Sequence, residues 1–418
     1  MLRFLTAGES HGRALVVVVE GLPAGLPITV EAISAELARR RLGFGRGPRM
    51  RFESDEVTLV GGVRHGLTLG SPVAIEIANS EWAAKWTEEM SPAPGRTKRP
   101  LTAPRPGHAD LAGMQKYGFD DARNVLERAS ARETAARVAA GALAKALLAE
   151  IGMEVLSHVI QLGPVRASRE HRPGPGEGAR VDACELRCVD PEAETAMLEE
   201  VRAAQRDGDS LGGVVEVLAY GAPVGLGSHV HWDRKLDALL ARALMSIQAV
   251  KGVEIGDGFE VAGRRGSRAH DPITWDPDHR CYRRESTRAG GIEGGMSTGE
   301  VIVAHVAMKP LATLNRPVLA TVDTATKDQT VSFKERTDVT AVPAMGVVAE
   351  TMTALVLADE ALRKFGGDSV REFTRNCASF RDQVADQARA VADAPVEDAE
   401  PINWVAEEAF PEAPEAGP

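Results

Sequence analysis

A short turn near the start of the chain, Gly8-Glu9-Ser10-His11-Gly12, returns in the second half as Gly208-Asp209-Ser210-Leu211-Gly212. Each copy runs into a β-branched stretch, 16–19 and 214–217, and then into a similar turn, Gly21-Leu22-Pro23-Ala24-Gly25-Leu26 and Gly221-Ala222-Pro223-Val224-Gly225-Leu226. Two further blocks match in the same order: 61–70 with 290–299, and Arg128-Ala129-Ser130 with Arg336-Thr337-Asp338. This order, over roughly 1–160 and 205–366, predicts two similar units related by a pseudo-two-fold and sharing one core. Residues present in both copies are those the backbone requires. His11, which gives way to Leu211, is not required in that sense and is a candidate for chemistry.

Helices are legible between these blocks. Thr29 is placed to cap a helix carrying Ile33 and Leu37, and Asp233 one carrying Leu236, Leu240, Leu244 and Ile247 at helical period. Ser130-Ala131-Arg132-Glu133 matches a capping box before an Ala-rich helix to Glu150. The span 347–365 reads as a buried central helix stopping at Gly366-Gly367. Strands lie beside turns rather than alternating with helices, so the expected class is α+β with antiparallel sheet, one domain over 1–392. The stretches 81–105, 171–180 and 263–288 read as loops. The tail 393–418 is acidic and Pro-containing and reads as disordered.

Composition removes several function classes. Most of the net charge of -11 belongs to the tail, which holds eight acidic residues and no Lys or Arg; the rest sets 49 basic against 52 acidic residues. A body without net positive charge and with 4% aromatics argues against nucleic acid. The four cysteines show neither zinc spacing nor a disulfide framework, and no metal is expected. No basic leader with an apolar core and no 18-residue apolar run is seen, so a cytoplasmic protein without a membrane anchor is expected. Gly8-Glu9-Ser10-His11-Gly12 fits the nucleophile-elbow pattern G-x-S-x-G, but a strand-like stretch follows where a helix is needed, as it does after the second copy.

Arginines point instead to an anionic ligand. Arg40, Arg46, Arg49 and Arg51 lie in or after the first helix, Arg105 shares a turn with Gly107, His108 and Asp110, and Arg128, Arg132 and Arg336 flank helix starts. Guanidinium groups bind phosphate and carboxylate bidentately, and helix N-termini add backbone donors. Taken alone, each such Arg is as readily a solvated surface residue, His108 a turn residue bonded to Asp110, and Asp338 an N-cap.

Taken together, these segments resemble the chorismate synthase family. The resemblance rests on Gly8-Glu9-Ser10-His11-Gly12, the segments 105–110 and 128–142, Arg336-Thr337-Asp338 before Ala341-Val342-Pro343, Gly208–Gly213, Gln248–Glu254 and Met308-Lys309-Pro310. It runs from Met1 to about Ala392. It implies a β-α-β sandwich with internal pseudo-symmetry, a homotetramer, and 1,4-elimination of phosphate from 5-enolpyruvylshikimate 3-phosphate to give chorismate. It also implies reduced FMN without net redox change, reduced either by the protein itself with NADPH or by an external flavin reductase.

By the same resemblance, Ser10, Arg40, Arg46, Arg49, Arg105, Arg132 and Arg336 hold the substrate. Arg128, Ala129, Ser130, Gln248, Ala249, Gly294, Lys309, Pro310, Leu311, Ala312, Thr313 and Arg336 hold the flavin. His11 serves the leaving phosphate, His108 the flavin, and Asp338, with flavin N5, the substrate proton. A histidine titrates near neutral pH and suits such transfers. Thr337 stands where many family members have His or Ser, which touches only the positioning of Asp338. The competing readings are a non-catalytic anion-binding protein and an ordinary flavin oxidoreductase; a binder need not keep His11, His108 and Asp338 together.

Overall fold

The computed structural model describes residues 1–47, 55–332 and 337–393. Its two larger sheets are antiparallel. The first runs in the order Arg3–Ala7, Ala14–Glu20, Val73–Ala78, Val57–Gly61. The second runs Val165–Arg166, Glu154–Leu162, Gly213–Tyr220, Ile302–Met308, Val250–Ile255. Apart from the short strand Val165–Arg166, both sheets join their strands in one order: first, second, fourth, third along the chain. The mixed helix and sheet content agrees with an α+β fold.

The helices are α1 (Val30–Arg39), α2 (Asp110–Tyr117), α3 (Arg123–Ala129), α4 (Thr134–Ala149) and α5 (Gly178–Ala183). They continue with α6 (Pro191–Asp207), α7 (Leu236–Met245), α8 (Val342–Phe365) and α9 (Val370–Asp393). Helices α4 and α8 pack on each other, α4 against the first sheet and α8 against the second. Alanines line the buried face of α4, and Gly141 leaves the space that Thr351 of α8 fills. A side chain at Gly141 would drive the two helices apart. The sheets answer with alternating apolar residues, Val73, Ile75 and Ile77 on one and Val215, Val217 and Ala219 on the other.

Helix α8 begins at Val342, earlier than its apolar pattern suggests, and stops at Gly366 as expected. By length and composition it could cross a membrane, but it is buried in this core. Thr29 caps α1 through a bond from the Ala32 N–H. Two capping expectations are corrected. Asp233 lies in a 3-10 turn and bonds His231, and α7 starts after an extended Lys235. Ser130 accepts from the Arg132 N–H, but the Glu133 side chain leaves the box to meet Thr6, Arg137 and Gln248. The expected loops also carry structure: a π-helical turn Trp82–Trp86, the start of α5, and a hairpin of Ile273–Asp276 with Cys281–Arg284. The expected disorder beyond 393 falls outside the described residues.

A charge lies deep inside the helical layer. Glu350 of α8 is fully buried and is met by Arg39 (2.7 and 3.1 Å), Lys145 (2.9 Å), Arg187 (2.7 Å) and the Ser157 N–H (2.9 Å). Burial alone would raise its pKa, but the Lys145, Arg39 and Arg187 charges outweigh it and hold the carboxyl well below the usual range. Since the folded pKa is the depressed one, this stabilisation is present above the unfolded value near ~4.3 and fades as pH falls toward the folded value. Glu350→Gln should therefore cost about 3–5 kcal/mol at neutral pH, the scale for breaking a buried pair. Denaturant titration should show the deficit shrinking as the pH is lowered below about 4.

Candidate functional site

The first copy of the repeated turn builds a corner against α3. Ser10 donates its N–H to the Glu127 carbonyl (2.9 Å), and Asn79 Nδ2 donates to the carbonyls of Ser10 (3.3 Å) and Gly12 (3.0 Å). Ser130 Oγ donates to Ser10 Oγ (3.1 Å), joining the turn to the start of α4. The His11 ring sits 3.0 Å from both oxygens of Glu127 and stacks on Trp86 with centroids 4.0 Å apart. Arg123 bonds Glu127 (2.9 Å) and lies over the Trp86 ring.

Beside this corner, Arg128 donates to the carbonyls of Gly8 and Thr6 (2.9 Å each) from the last turn of α3, just before the Ser130 cap. Glu133 gathers Thr6 (2.7 Å), Arg137 (2.8 Å) and Gln248 Nε2 (3.0 Å), which brings Gln248-Ala249 of the second half to Arg128-Ala129-Ser130 of the first. Burial opposes the charge on Glu133, but Arg137, Gln248 and Thr6 hold its pKa below the usual value. Gln248 Oε1 is buried with no protein partner, and Ala249 holds a left-handed backbone (φ 65°).

Three other clusters follow. Arg40 (3.5 Å) and Arg132 converge on the buried Asp55. Arg46 Nε approaches Asp338 (3.3 Å), whose other oxygen accepts from the Gly47 N–H (2.6 Å). Asp338 therefore is not the N-cap of α8; Ala341 holds that place. Arg105 bonds Asp110 through Nε (2.9 Å) and Thr313 Oγ1 through Nη1 (3.1 Å), while His108 Nδ1 bonds the other Asp110 oxygen. Burial would raise the Asp110 pKa, yet His108 and Arg105 hold it far below the carboxylate range. Lys309 donates Nζ to the Gly107 carbonyl, and its N–H bonds the Ala249 carbonyl (3.0 Å). Gly107 turns with φ 74°, and a side chain there would press on the Lys309 ammonium.

The second copy of the turn supports these clusters. Ser210 Oγ donates to the Leu311 carbonyl (2.9 Å), and the Leu211 N–H to the Val339 carbonyl (2.8 Å). Pro310 and Ala312 lie on the same 309–313 segment. Gly294 is not brought in by these contacts: it sits on the hairpin of Ile292–Glu293 and Met296–Ser297, which packs on α7. Arg49, Arg51 and Arg336 lie outside the described residues. A cavity of about 590 Å³ opens elsewhere, over the second sheet, lined by His158, Glu216, His305 and Arg169 among others. None of the sequence-predicted residues lines it, and Glu216 is already engaged by His158, His305 and Arg172.

A sequence profile of the chorismate synthase family matches residues 2–362. The chain belongs to the chorismate synthase family. Chorismate synthase of Salinispora tropica is 61% identical over 393 residues, covering 92% of this chain and 99% of that protein. The Streptomyces coelicolor chorismate synthase is 60% identical, covering 92% and 98%. A crystal structure of chorismate synthase superposes with a TM-score of 0.74 at 39% identity, covering 92% of this chain and 98% of the other.

Within this chain, sequence reasoning missed Glu127, Trp86, Asp55 and Glu133. Glu127, Trp86 and Asp55 are separated in sequence from the residues they serve, and only the capping-box glutamate at 133 carried a local signal. The Asp110 cluster yields a direct check. Asp110→Asn leaves the buried Arg105 without its full counter-charge, and we expect a loss of about 3–5 kcal/mol in denaturant unfolding. An unchanged midpoint would show that Arg105 finds its compensation elsewhere.

Proposed function

We propose that the Ser10–His11–Ser130 corner, the Arg40–Arg132 pair, the Arg105–His108 loop and Asp338 together form the active site of this lyase. Chorismate synthase eliminates phosphate and a proton from 5-enolpyruvylshikimate 3-phosphate, the last common step of the shikimate pathway to the aromatic amino acids. The observation that carries the assignment is the meeting of Ser10, His11 and Ser130 beside Arg132, whose own N–H donates to Ser130 Oγ (3.3 Å). Hydroxyls, an imidazole and guanidiniums in one place suit a substrate bearing a phosphate and two carboxylates.

The residues also fit a flavin. The buried, unpartnered Gln248 Oε1 is an acceptor for a ligand N–H, and leaving it unsatisfied would be costly. Lys309 and Thr313, already near Arg105, suit a phosphate group. Arg128, Ala129, Ser130, Gln248, Ala249 and 309–313 would hold reduced FMN, with Gly294 and Arg336 added by family resemblance. When bound, reduced flavin supplies an electron to the allylic system and takes it back, so no net oxidation remains. Around it, the arginines orient the substrate, His11 gives a proton to the departing phosphate, and His108 manages the proton at the flavin edge. Asp338, fixed by Arg46 and the Gly47 N–H, accepts the substrate proton.

We extend the reading to the architecture and assembly. The shared strand order supports a duplicated β-α-β sandwich over a single domain, 1–392. A solvent-facing row of Leu5, Val18 and Ala74 on the first sheet, with Leu5 74% exposed, supports assembly of copies as a homotetramer. Reduction of the flavin falls to NADPH on this protein or to a separate flavin reductase.

The direct test is an anaerobic assay with photoreduced FMN and 5-enolpyruvylshikimate 3-phosphate, in which phosphate and chorismate should appear together without consumption of reductant. Absence of phosphate release would overturn the assignment. His108→Ala should retain flavin binding but turn over roughly a hundredfold more slowly, the scale for lost acid–base help. Turnover at the normal rate would remove His108 from the reaction.

A further inference from the structure

The contact of His11 with Glu127 is more specific than an ion pair. Glu127 lies on α3 and its side chain is 2% exposed. One oxygen accepts the His11 backbone N–H (2.9 Å), and both lie 3.0 Å from the ring Nδ1. Backbone and side chain of one residue thus close on a single carboxylate, which fixes the direction in which the ring leaves the chain. Trp86, stacked at 4.0 Å with 29° between planes, fixes the ring's remaining rotation. Arg123 bonds Glu127 (2.9 Å) and also covers Trp86, so one guanidinium braces both supports.

The chemistry of the carboxylate then decides the tautomer. Burial works against its charge, but the His11 ring bond, the His11 N–H and the Arg123 charge outweigh it and keep the group ionised. An ionised carboxylate only accepts hydrogen bonds. Nδ1 must therefore carry a proton whenever the contact is made, and the proton that His11 exchanges is the one on Nε2. An alternative is that Glu127 serves α3 alone, as the partner of Arg123 one turn away. That would not require either bond to His11.

We infer that Glu127 is a positioning residue for catalysis: it holds His11 as the Nδ1–H tautomer, so that Nε2 is the nitrogen that protonates the departing phosphate. The inference rests on the reading of His11 as that acid. As the C–O bond breaks, its electron pair leaves with the phosphate oxygen, which takes the Nε2 proton. The imidazolium becomes neutral imidazole and keeps its Nδ1 proton on Glu127. Nothing else is consumed at this centre.

The test compares Glu127→Leu, which removes the acceptor, with Glu127→Gln, which keeps a carbonyl acceptor but removes the charge that pairs with Arg123. The full-length enzyme is labelled with ¹⁵N-histidine, and His11 is assigned from a His11→Asn variant. In the unmodified protein the neutral His11 ring should show the Nδ1–H pattern. In Glu127→Leu the pattern should move toward Nε2–H, and kcat should fall roughly 10- to 100-fold, the scale for losing a group that orients a functional imidazole. KM for substrate and flavin affinity should change little, and Glu127→Gln should restore most of kcat. A role confined to pairing with Arg123 would leave the ¹⁵N pattern unmoved and would show no rescue by Gln. Either result overturns the inference, as does an Nε2–H ring in the unmodified protein. If His11→Asn turns over normally, the acid reading of His11 fails; if it is inactive while Glu127→Leu keeps its kcat, the positioning inference alone fails.

Discussion

A carboxylate placed in the middle of an apolar helix dictates much of how this chain closes. Glu350 could not stay ionised between two sheets without cations brought to it, and they come from α1, α4 and the residue Arg187 just after α5. Its oxygen also takes the Ser157 N–H of the second sheet. The layers are therefore held in register by direction-dependent bonds as well as by burial of alanine and valine. Arg39, one of those cations, is followed directly by Arg40, which faces Asp55 beside Arg132. The end of α1 is thus anchored to the core on one side and turned to the candidate site on the other. A shift in the interior charge cluster would reach the candidate site through Arg40.

The two copies of the opening turn do comparable mechanical work with different side chains. In the first, Ser10 engages Ser130 and the α3 backbone. In the second, Ser210 and Leu211 engage Leu311 and Val339, the backbone on either side of the Lys309 and Asp338 segments. The serine in each copy is a strut for a neighbouring loop. The residue after it differs: Leu211 packs against the core, while His11 is given a carboxylate and an aromatic face. The first half carries the candidate imidazole at this position, and the second braces the segments at Leu311 and Val339.

This explains what could be read from the sequence. Features set by local chemistry were legible: the Thr29 cap, the glycine stop after Phe365, the strands after each turn, and the meeting of His108 with Asp110 two residues away. Asp233 misled because a charged residue before an apolar helix serves a 3-10 turn as readily as a cap. Glu133 misled because a tertiary partner, Gln248, competes for the side chain a capping box would use. The hairpin at 273–284 was hidden by its exposure: Ile273, Trp275 and Tyr282 face outward, so no buried face imposed a pattern. Glu127 and Trp86 carried no signal at all, since their relation to His11 exists only after α3 has packed on the first turn.

The electrostatics of the site also resolve a tension in the composition. A body with nearly balanced charge is an unpromising binder of a phosphate with two carboxylates, if net charge is what counts. Here each arginine candidate among the described residues is met by an acid: Arg40 and Arg132 by Asp55, Arg46 by Asp338, Arg105 by Asp110, Arg128 by Glu133. Such pairs spread little positive potential and steer weakly over distance. What they do is hold long side chains in one rotamer before a ligand arrives, which lowers the ordering cost that weakens binding by flexible arginines. Against their burial, Asp110 is held ionised by His108 and Arg105, and Glu133 by Arg137, Gln248 and Thr6, so these acids stay charged through the neutral range. Recognition of an anion by such a surface depends on fixed donor directions more than on excess charge, and it should favour a ligand whose anionic groups are spaced to match the arginines over one that is merely more highly charged.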